Sequence, residues 1–303
     1  MNKNPLITVI ITTYNSNINY FSECLQSIIN QTYKNLEILI IDDFSTKMNY
    51  KKIKLLIKKN FKDKRIKIYQ NKKNFGVSKS LNNGIKFSKG EYLTWCSYDD
   101  YFHLDKISLQ YNKIKYLDKT IISCNTTIKY ENYNFFRKVN YNFIPKDRDS
   151  LLLSDKFSGG SFLISKKIFN MCGFFNEKLR FTQDYDMWLR FYDYNIKFIN
   201  LNKYLFFSRI HILQDTNKNS NKVIKEKNKF YLEYLKKNIL YFINFYSRYD
   251  LIKISFFFRI RGYFDISNYI DTKILKFYNS KKLKIKLYFL KLTLSLTKFT
   301  SNS

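Results

Sequence analysis

The stretch Gly90–Asp100, GEYLTWCSYDD, sets a short apolar strand pattern directly before two adjacent carboxylates, Asp99 and Asp100. Neighbouring acids repel each other and lose solvation when partly covered, so a divalent metal or a ribose hydroxyl gives a reason to keep them together at a strand end. Two carboxylates at a helix start are the plainer account, and a helical segment does follow. A second acidic pair, Asp42 and Asp43, closes another apolar run and could equally cap the next helix. Farther along stand Asp184 in TQDYDMWLRF and the cations Arg209 and His211 in SRIHILQ, a proton acceptor and groups able to meet negative charge.

These residues need a scaffold, and the pattern supplies one by alternating strand and helix. Leu6 to Thr13 is a β-branched run that reads as a strand buried on both faces, and Phe21 to Gln31 carries an apolar stripe at helical spacing. Strands follow at Leu36 to Ile41, Ile66 to Tyr69 and Tyr92 to Cys96, separated by helices at Tyr50 to Asn60 and Val77 to Phe87. Such alternation predicts an α/β fold with a mostly parallel central sheet flanked by helices. Ligands of such sheets bind beyond the carboxyl ends of the strands, where Thr12 to Asn15, Asp42 to Ser45 and Ser97 to Asp100 all fall. Ile121 to Lys156 reads as an irregular region of short strands over one sheet edge. Beyond it, Gly159 and Gly160 precede a strand, Lys166 to Met171 is a short helix with Gly173 as its cap, and Asp184 to Tyr194 is an amphipathic helix with Trp188, Leu189 and Tyr192 inward. A polar, Lys- and Asn-rich link after Gln214 places a domain boundary at Asn219, giving domains 1–219 and 220–303.

At 303 residues and 45% hydrophobic, the chain buries a full core. The net charge of +30 comes mostly from Lys, in company with Asn, Ile, Tyr and Phe, residues that share A/T-rich codons. Part of the charge therefore reflects genome composition, and the rest suits anionic ligands such as nucleoside diphosphates or an anionic membrane face. Cys24, Cys96, Cys124 and Cys172 show no C-x-x-C pairing and read as reduced core thiols of a cytosolic protein. The apolar N-terminus reads as a first strand, since it lacks a small-residue cleavage site, and no stretch has the ~18 uninterrupted apolar residues of a spanning helix.

Seven blocks in order, ITVIITTYN, QTYKNLEILIIDDFS, NFGVSKSLNNGI, KGEYLTWCSYDD, GGSFLISKKIFNMCGFFNE, TQDYDMWLRF and FSRIHILQDT, resemble the family 2 glycosyltransferases over residues 5 to 215. The resemblance implies the Rossmann-like GT-A fold. It also implies an enzyme that moves a sugar from a nucleotide-diphosphate donor, UDP-sugar above all, to a hydroxyl of a glycan or lipid-linked acceptor. By the family match Thr12, Tyr14 and Asp43 face the base, Asp42 structures the loop, and Asn74 with Gly76 shapes the turn beneath the nucleotide. Leu81 stands before Asn82 where relatives carry Arg, leaving Lys79 or another basic residue to meet the diphosphate. Ser97 replaces the first acid of the D-x-D-D form, so Asp99 is assigned to ribose and Asp100 to Mn²⁺ or Mg²⁺. Asp184 holds the position of the general base of an inverting transfer, with Asp186 in reserve or in an i,i+4 pair with Arg190. Arg209 and His211 match a late block that closes over the diphosphate, although a structural role accounts for His211 as well. His103 matches no block and reads as packing at a helix start.

The basic, aromatic segment 220–303 reads as mainly helical. Leu283 to Leu296 fits helix and strand spacing alike, with helix favoured by context. It suits either a peripheral contact with the inner face of a membrane, near a lipid-linked acceptor, or a helical cap or dimer contact. Polysaccharide or lipooligosaccharide assembly in the cytoplasm is the setting the family implies. The Ser97 and Leu81 departures leave a non-catalytic scaffold as the rival reading, with a salt-sensitive nucleic-acid-binding protein behind it.

Overall fold

The run ITVIITT forms β1 (Ile7–Thr13), with Ile7, Val9 and Ile11 packed on Phe21, Cys24, Leu25 and Ile28 of α1 (Ile18–Ile29). Burial of each such Ile or Leu side chain contributes roughly 1.5–3 kcal/mol over an exposed one. This computed structural model describes residues 4–141, 157–212 and 214–278. The alternation continues through β2 (Leu36–Asp42), α2 (Lys47–Leu56, extended by a π turn to Phe61), β3 (Ile66–Gln70), α3 (Val77–Phe87) and β4 (Tyr92–Ser97). On the other face of β1, a Cβ at Gly84 would lie 2.6 Å from Ile10, so glycine lets α3 approach the sheet.

The nine-stranded sheet has the order β3-β2-β1-β4 and then β8 (Leu163–Ser165), β6 (Thr120–Tyr130), β9 (Lys197–Ile210) and β5 (Tyr101–Phe102), with β7 (Phe135–Val139) on β6. Its first four strands are parallel, as the alternation predicts. The chain runs outward from β1 to β3 and then returns to β4 on the other side of β1, which makes the β1/β4 junction the switch point where a ligand crevice opens. The second half is mixed: β5 to β9 combine antiparallel pairs with a parallel β6/β9 pair. The helices of this half are α4 (Lys106–Ile114), α5 (Lys166–Cys172) and α6 (Gln183–Asp193).

Two expectations are corrected here. The segment after Ile121 begins as an eleven-residue strand inside the sheet, not as an irregular edge. Its polar residues are compatible with burial because they bond across the ladder: the Asn125 amide donates to Asn202 Oδ1 at 2.9 Å and accepts from Asn200, and Thr126 meets the Tyr141 hydroxyl at 2.9 Å. A register shift at Cys124–Thr126 accommodates the Asn. Second, Asp99 and Asp100 precede β5, and α4 starts six residues beyond Asp100, which removes the helix-start account of the pair. His103 does sit before that helix, with Nδ1 accepting the Asp105 N–H at 3.2 Å. All four cysteines are buried and free. Residues 142–156, the remainder of the segment read as irregular, lie outside the described residues.

The chain divides into two compact units, one ending at Gln214 and one beginning at Asp215. The second comprises α7 (Asp215–Lys218), α8 (Ser220–Phe245), α9 (Arg248–Ile260) and α10 (Phe264–Tyr278). Its own core holds Tyr231, Leu235, Phe242, Phe258, Ile266 and Ile270, with a buried Arg259–Asp271 pair at 2.8 Å. Among the described residues no helix is long and apolar enough to cross a membrane. The ambiguous run 283–296 lies outside the described residues.

Candidate active site

Loops after β1 and β2 form one end of the crevice. Asp43 is buried, and its carboxylate is committed to the chain: Oδ1 accepts from Asn71 Nδ2 at 2.8 Å and the Phe75 N–H at 2.9 Å, and Oδ2 accepts from the Gly76 N–H at 2.7 Å. One of its roughly four lone-pair directions therefore remains for a ligand. Asp42 holds the Ser45 N–H at 3.0 Å and hydroxyl at 2.5 Å, as well as Gln70 Nε2 at 2.8 Å. The two loops also clasp each other, Asn15 N–H donating to Ser45 Oγ at 2.8 Å and Thr46 N–H to Asn15 Oδ1 at 2.9 Å. Between them Phe44 is held at φ +66°, a conformation that costs a bulky L residue about 1–2 kcal/mol. Thr12 is half-buried at the end of β1, Tyr14 is exposed beside it, and Asn74 is exposed in the turn leading to Gly76. Lys79 and Asn82 do not face this crevice as free groups. Lys79 pairs with Glu177 at 3.0 Å, and the Asn82 side chain bonds both the N–H and carbonyl of Phe175 at 2.9 Å.

At the switch point Thr12 lies opposite Ser97, and the Tyr98 N–H donates to the Thr12 carbonyl at 3.1 Å. This brings the end of β4 beside the base-facing loops, and β9 meets it from the far side. His211 Nε2 lies 3.0 Å from Asp99 Oδ2, and Gln214 Nε2 is 3.3 Å from the same oxygen. Burial pushes the Asp99 carboxyl up, but hydrogen bonds from His211, Ser97 and Gln214 outweigh it and hold the group below the usual carboxylate range. Asp100 is pushed well above that range by burial and by the Asp99 charge. Its Oδ1 accepts the Arg209 N–H at 2.9 Å, and the Ser208 hydroxyl also bonds its carboxylate.

Arg209 is 1% exposed, so the structure does not present its guanidinium to a diphosphate. It instead ties β9 to three other parts of the fold: Nε donates to the Asp99 carbonyl at 2.8 Å, one amino group pairs with Glu23 of α1 at 2.5 Å while Tyr20 of the same helix covers it at 4.2 Å, and the other amino group pairs with Glu131 after β6. The sequence role of a diphosphate cation is thus replaced by that of a strut, because its charge is already met by two carboxylates. Glu23, Glu131 and Tyr20 were not singled out by the sequence; only their partner's motif was, and nothing in their own spacing points to it.

Asp184 opens α6. Its Oδ1 is buried with no hydrogen-bond partner among the described residues, and burial raises the carboxyl from 3.8 to about 7. Gly159 makes the space for it: a Cβ there would lie 2.7 Å from both Asp184 Oδ2 and Trp95 Nε1. The helix is anchored by Trp188, stacked on Trp95 at 6.2 Å, and by the Asp186–Arg190 pair at 2.9 Å that its i,i+4 spacing predicts. Trp188 and Leu189 are buried as the pattern predicts, while Tyr192 is half-buried.

Asp99 and His211 bring a carboxylate oxygen and an imidazole nitrogen together from different strand ends, donor types that suit a divalent ion. Among the described residues no three His, Cys, Asp or Glu side chains form a complete cage. The bonding at Asp100 shifts the emphasis of the sequence reading: its carboxylate anchors β9, while Asp99, assigned to ribose, is the acid that faces His211.

A parallel sheet with acids at its switch point and a mixed second half defines the GT-A class of transferase fold. The crystal structure of GalNAc-T7 with UDP, GalNAc and Mn²⁺ shares it, with a TM-score of 0.56 at 15% identity over 70% of this chain and 45% of that one. The chain belongs to glycosyl transferase family 2, whose model matches residues 8–175. An uncharacterized glycosyltransferase of Rickettsia typhi is 33% identical over 268 residues, 86% of this chain and 81% of the relative. A hyaluronan synthase of Pasteurella multocida is 30% identical over 215 residues, 70% of this chain but 21% of the synthase.

Proposed function

We propose that the protein transfers a sugar, with inversion, from a nucleoside-diphosphate donor to a hydroxyl of a glycan or lipid-linked acceptor. The observation that carries this reading is Asp184, a carboxylate with an unpartnered buried oxygen and a proton affinity set near neutrality by burial. In the step, the acceptor oxygen forms a bond to the anomeric carbon as the bond to the diphosphate oxygen breaks. The electron pair leaves with the diphosphate, and the acceptor proton passes to Asp184. Asp43, Thr12 and Tyr14 hold the base, with Asn74 and Gly76 in the turn beneath it. Asp99 and His211 would hold Mn²⁺ or Mg²⁺, which when bound offsets charge on the diphosphate. Arg209 and Asp100 keep that pair in register. Domain 220–303, with its basic and aromatic composition, provides a peripheral contact with the cytoplasmic face of a membrane.

The test is Asp184→Asn. With Mn²⁺ present, binding of UDP, GDP or dTDP should persist in a thermal-shift titration, while transfer from the matching nucleotide sugar falls about 10²- to 10⁴-fold. Loss of both together would make Asp184 structural and sink its role as base.

A further inference from the structure

Phe44 occupies a left-handed turn position that an aromatic residue rarely takes. Six non-glycine residues among those described have positive φ; the other five are Asn or Lys, and Phe44 is the sole aromatic. The residue is 51% exposed, and among the described residues no aromatic or cationic partner packs on its ring. Asn or Gly would adopt the same backbone at less cost. The backbone on either side is fixed independently of that ring. The Asp43 N–H donates to the Thr13 carbonyl at 2.8 Å, the Asp43 carboxylate takes the Phe75 and Gly76 N–H groups, and Ser45 is tied to Asp42 and Asn15. Tyr14 and Phe75, 48% and 40% exposed, flank these same bonds. Three part-exposed aromatic residues are therefore adjacent in sequence to Asp43 or to one of its hydrogen-bond partners, or donate a backbone N–H to it, and among the described residues none stacks on another.

We propose that Phe44 is a specificity residue for the donor, its ring forming with Tyr14 an aromatic wall against which the nucleotide base stacks while the free lone pair of Asp43 accepts a base N–H. The turn's own hydrogen bonds impose the backbone, and an exposed aromatic ring kept where Asn or Gly would be less strained is the mark of a side chain retained for a ligand. The inference rests on the nucleotide-sugar reading above.

The experiment uses the full chain and the variants Phe44→Asn and Phe44→Gly. It compares thermal midpoints without ligand and calorimetric titrations, in Mn²⁺, with UDP and with inorganic pyrophosphate as the base-free probe. The expected result is a midpoint raised by roughly 2–4 °C, UDP affinity weakened about tenfold and pyrophosphate affinity unchanged. Unchanged UDP affinity would overturn the proposal, as would a parallel loss of pyrophosphate binding or a lowered midpoint, either of which makes the ring structural. If the native chain bound none of UDP, GDP and dTDP, the nucleotide-sugar reading would fall and this proposal with it. Native binding that Phe44→Asn leaves intact would sink the Phe44 role alone.

Discussion

The loops after β1 and β2 and the cluster where β4 meets β9 are both rich in acids, but they hold those acids by different means. In the loops, Asp42 and Asp43 are satisfied by neighbouring backbone N–H groups, hydroxyls and amides, and the cost of the arrangement appears as a strained Phe44 backbone. In the cluster, Asp99, Asp100, Glu23 and Glu131 gather around one buried guanidinium and one imidazole, and the cost appears as desolvation. Hydrogen-bonded acids in loops can be changed one at a time. Charges arranged around a shared buried partner depend on that partner.

The sharpest way to break the comparison is at Arg209. Replacing it by Gln should cost about 3–5 kcal/mol in denaturant unfolding, since a buried charge network loses its centre. Glu23→Gln should cost under about 1 kcal/mol, because that side chain is 46% exposed and water can replace the lost bond. Equal costs would mean that Arg209 is no hub. A smaller effect is expected at Asp43→Asn, about 1–3 kcal/mol from the weakened hold on the Phe75 and Gly76 N–H groups, read as faster amide exchange confined to 71–76. Exchange that spreads to β9 would show that the two ends are one unit. The last effect is read against pH rather than denaturant, and it concerns Asp184. Its folded-state value is raised, so the unfolded chain releases this proton first and the native state loses stability as pH climbs from 3.8 to about 7, with no further loss above. Asp184→Asn removes that component, so its thermal midpoint should gain on the native chain across this window and then run parallel. A gap independent of pH would contradict the burial of the carboxylate.

The same contrast marks what could be read from the residues alone. Leu36–Asp42 and Val77–Phe87 are visible because uninterrupted apolar runs and helical stripes are local signals. Strand β6 was hidden because Ser123, Asn125, Thr126 and Thr127 look like loop until their partners on β9, some 75 residues away, are in place. Asp184, Asp99 and His211 each stand out through their motifs, but neither the pairing of Asp99 with His211 nor the role of Arg209 does. Its charge suggested an anion and could not reveal that Glu23 and Glu131 already supply one. Phe44 looked unremarkable because backbone handedness leaves no trace in side-chain type.

The bridge from Arg209 to Glu23 joins residues 186 apart in the chain. Parallel strands β1 to β4 come from the first third of the sequence and can pair as they emerge, but the cluster cannot close until β9 has been synthesised and threaded beside β5. On the ribosome, then, the chain would carry its base-facing loops for many seconds before it has a transfer site, and a chain truncated before Arg209 would keep half a crevice with unneutralised acids at its edge.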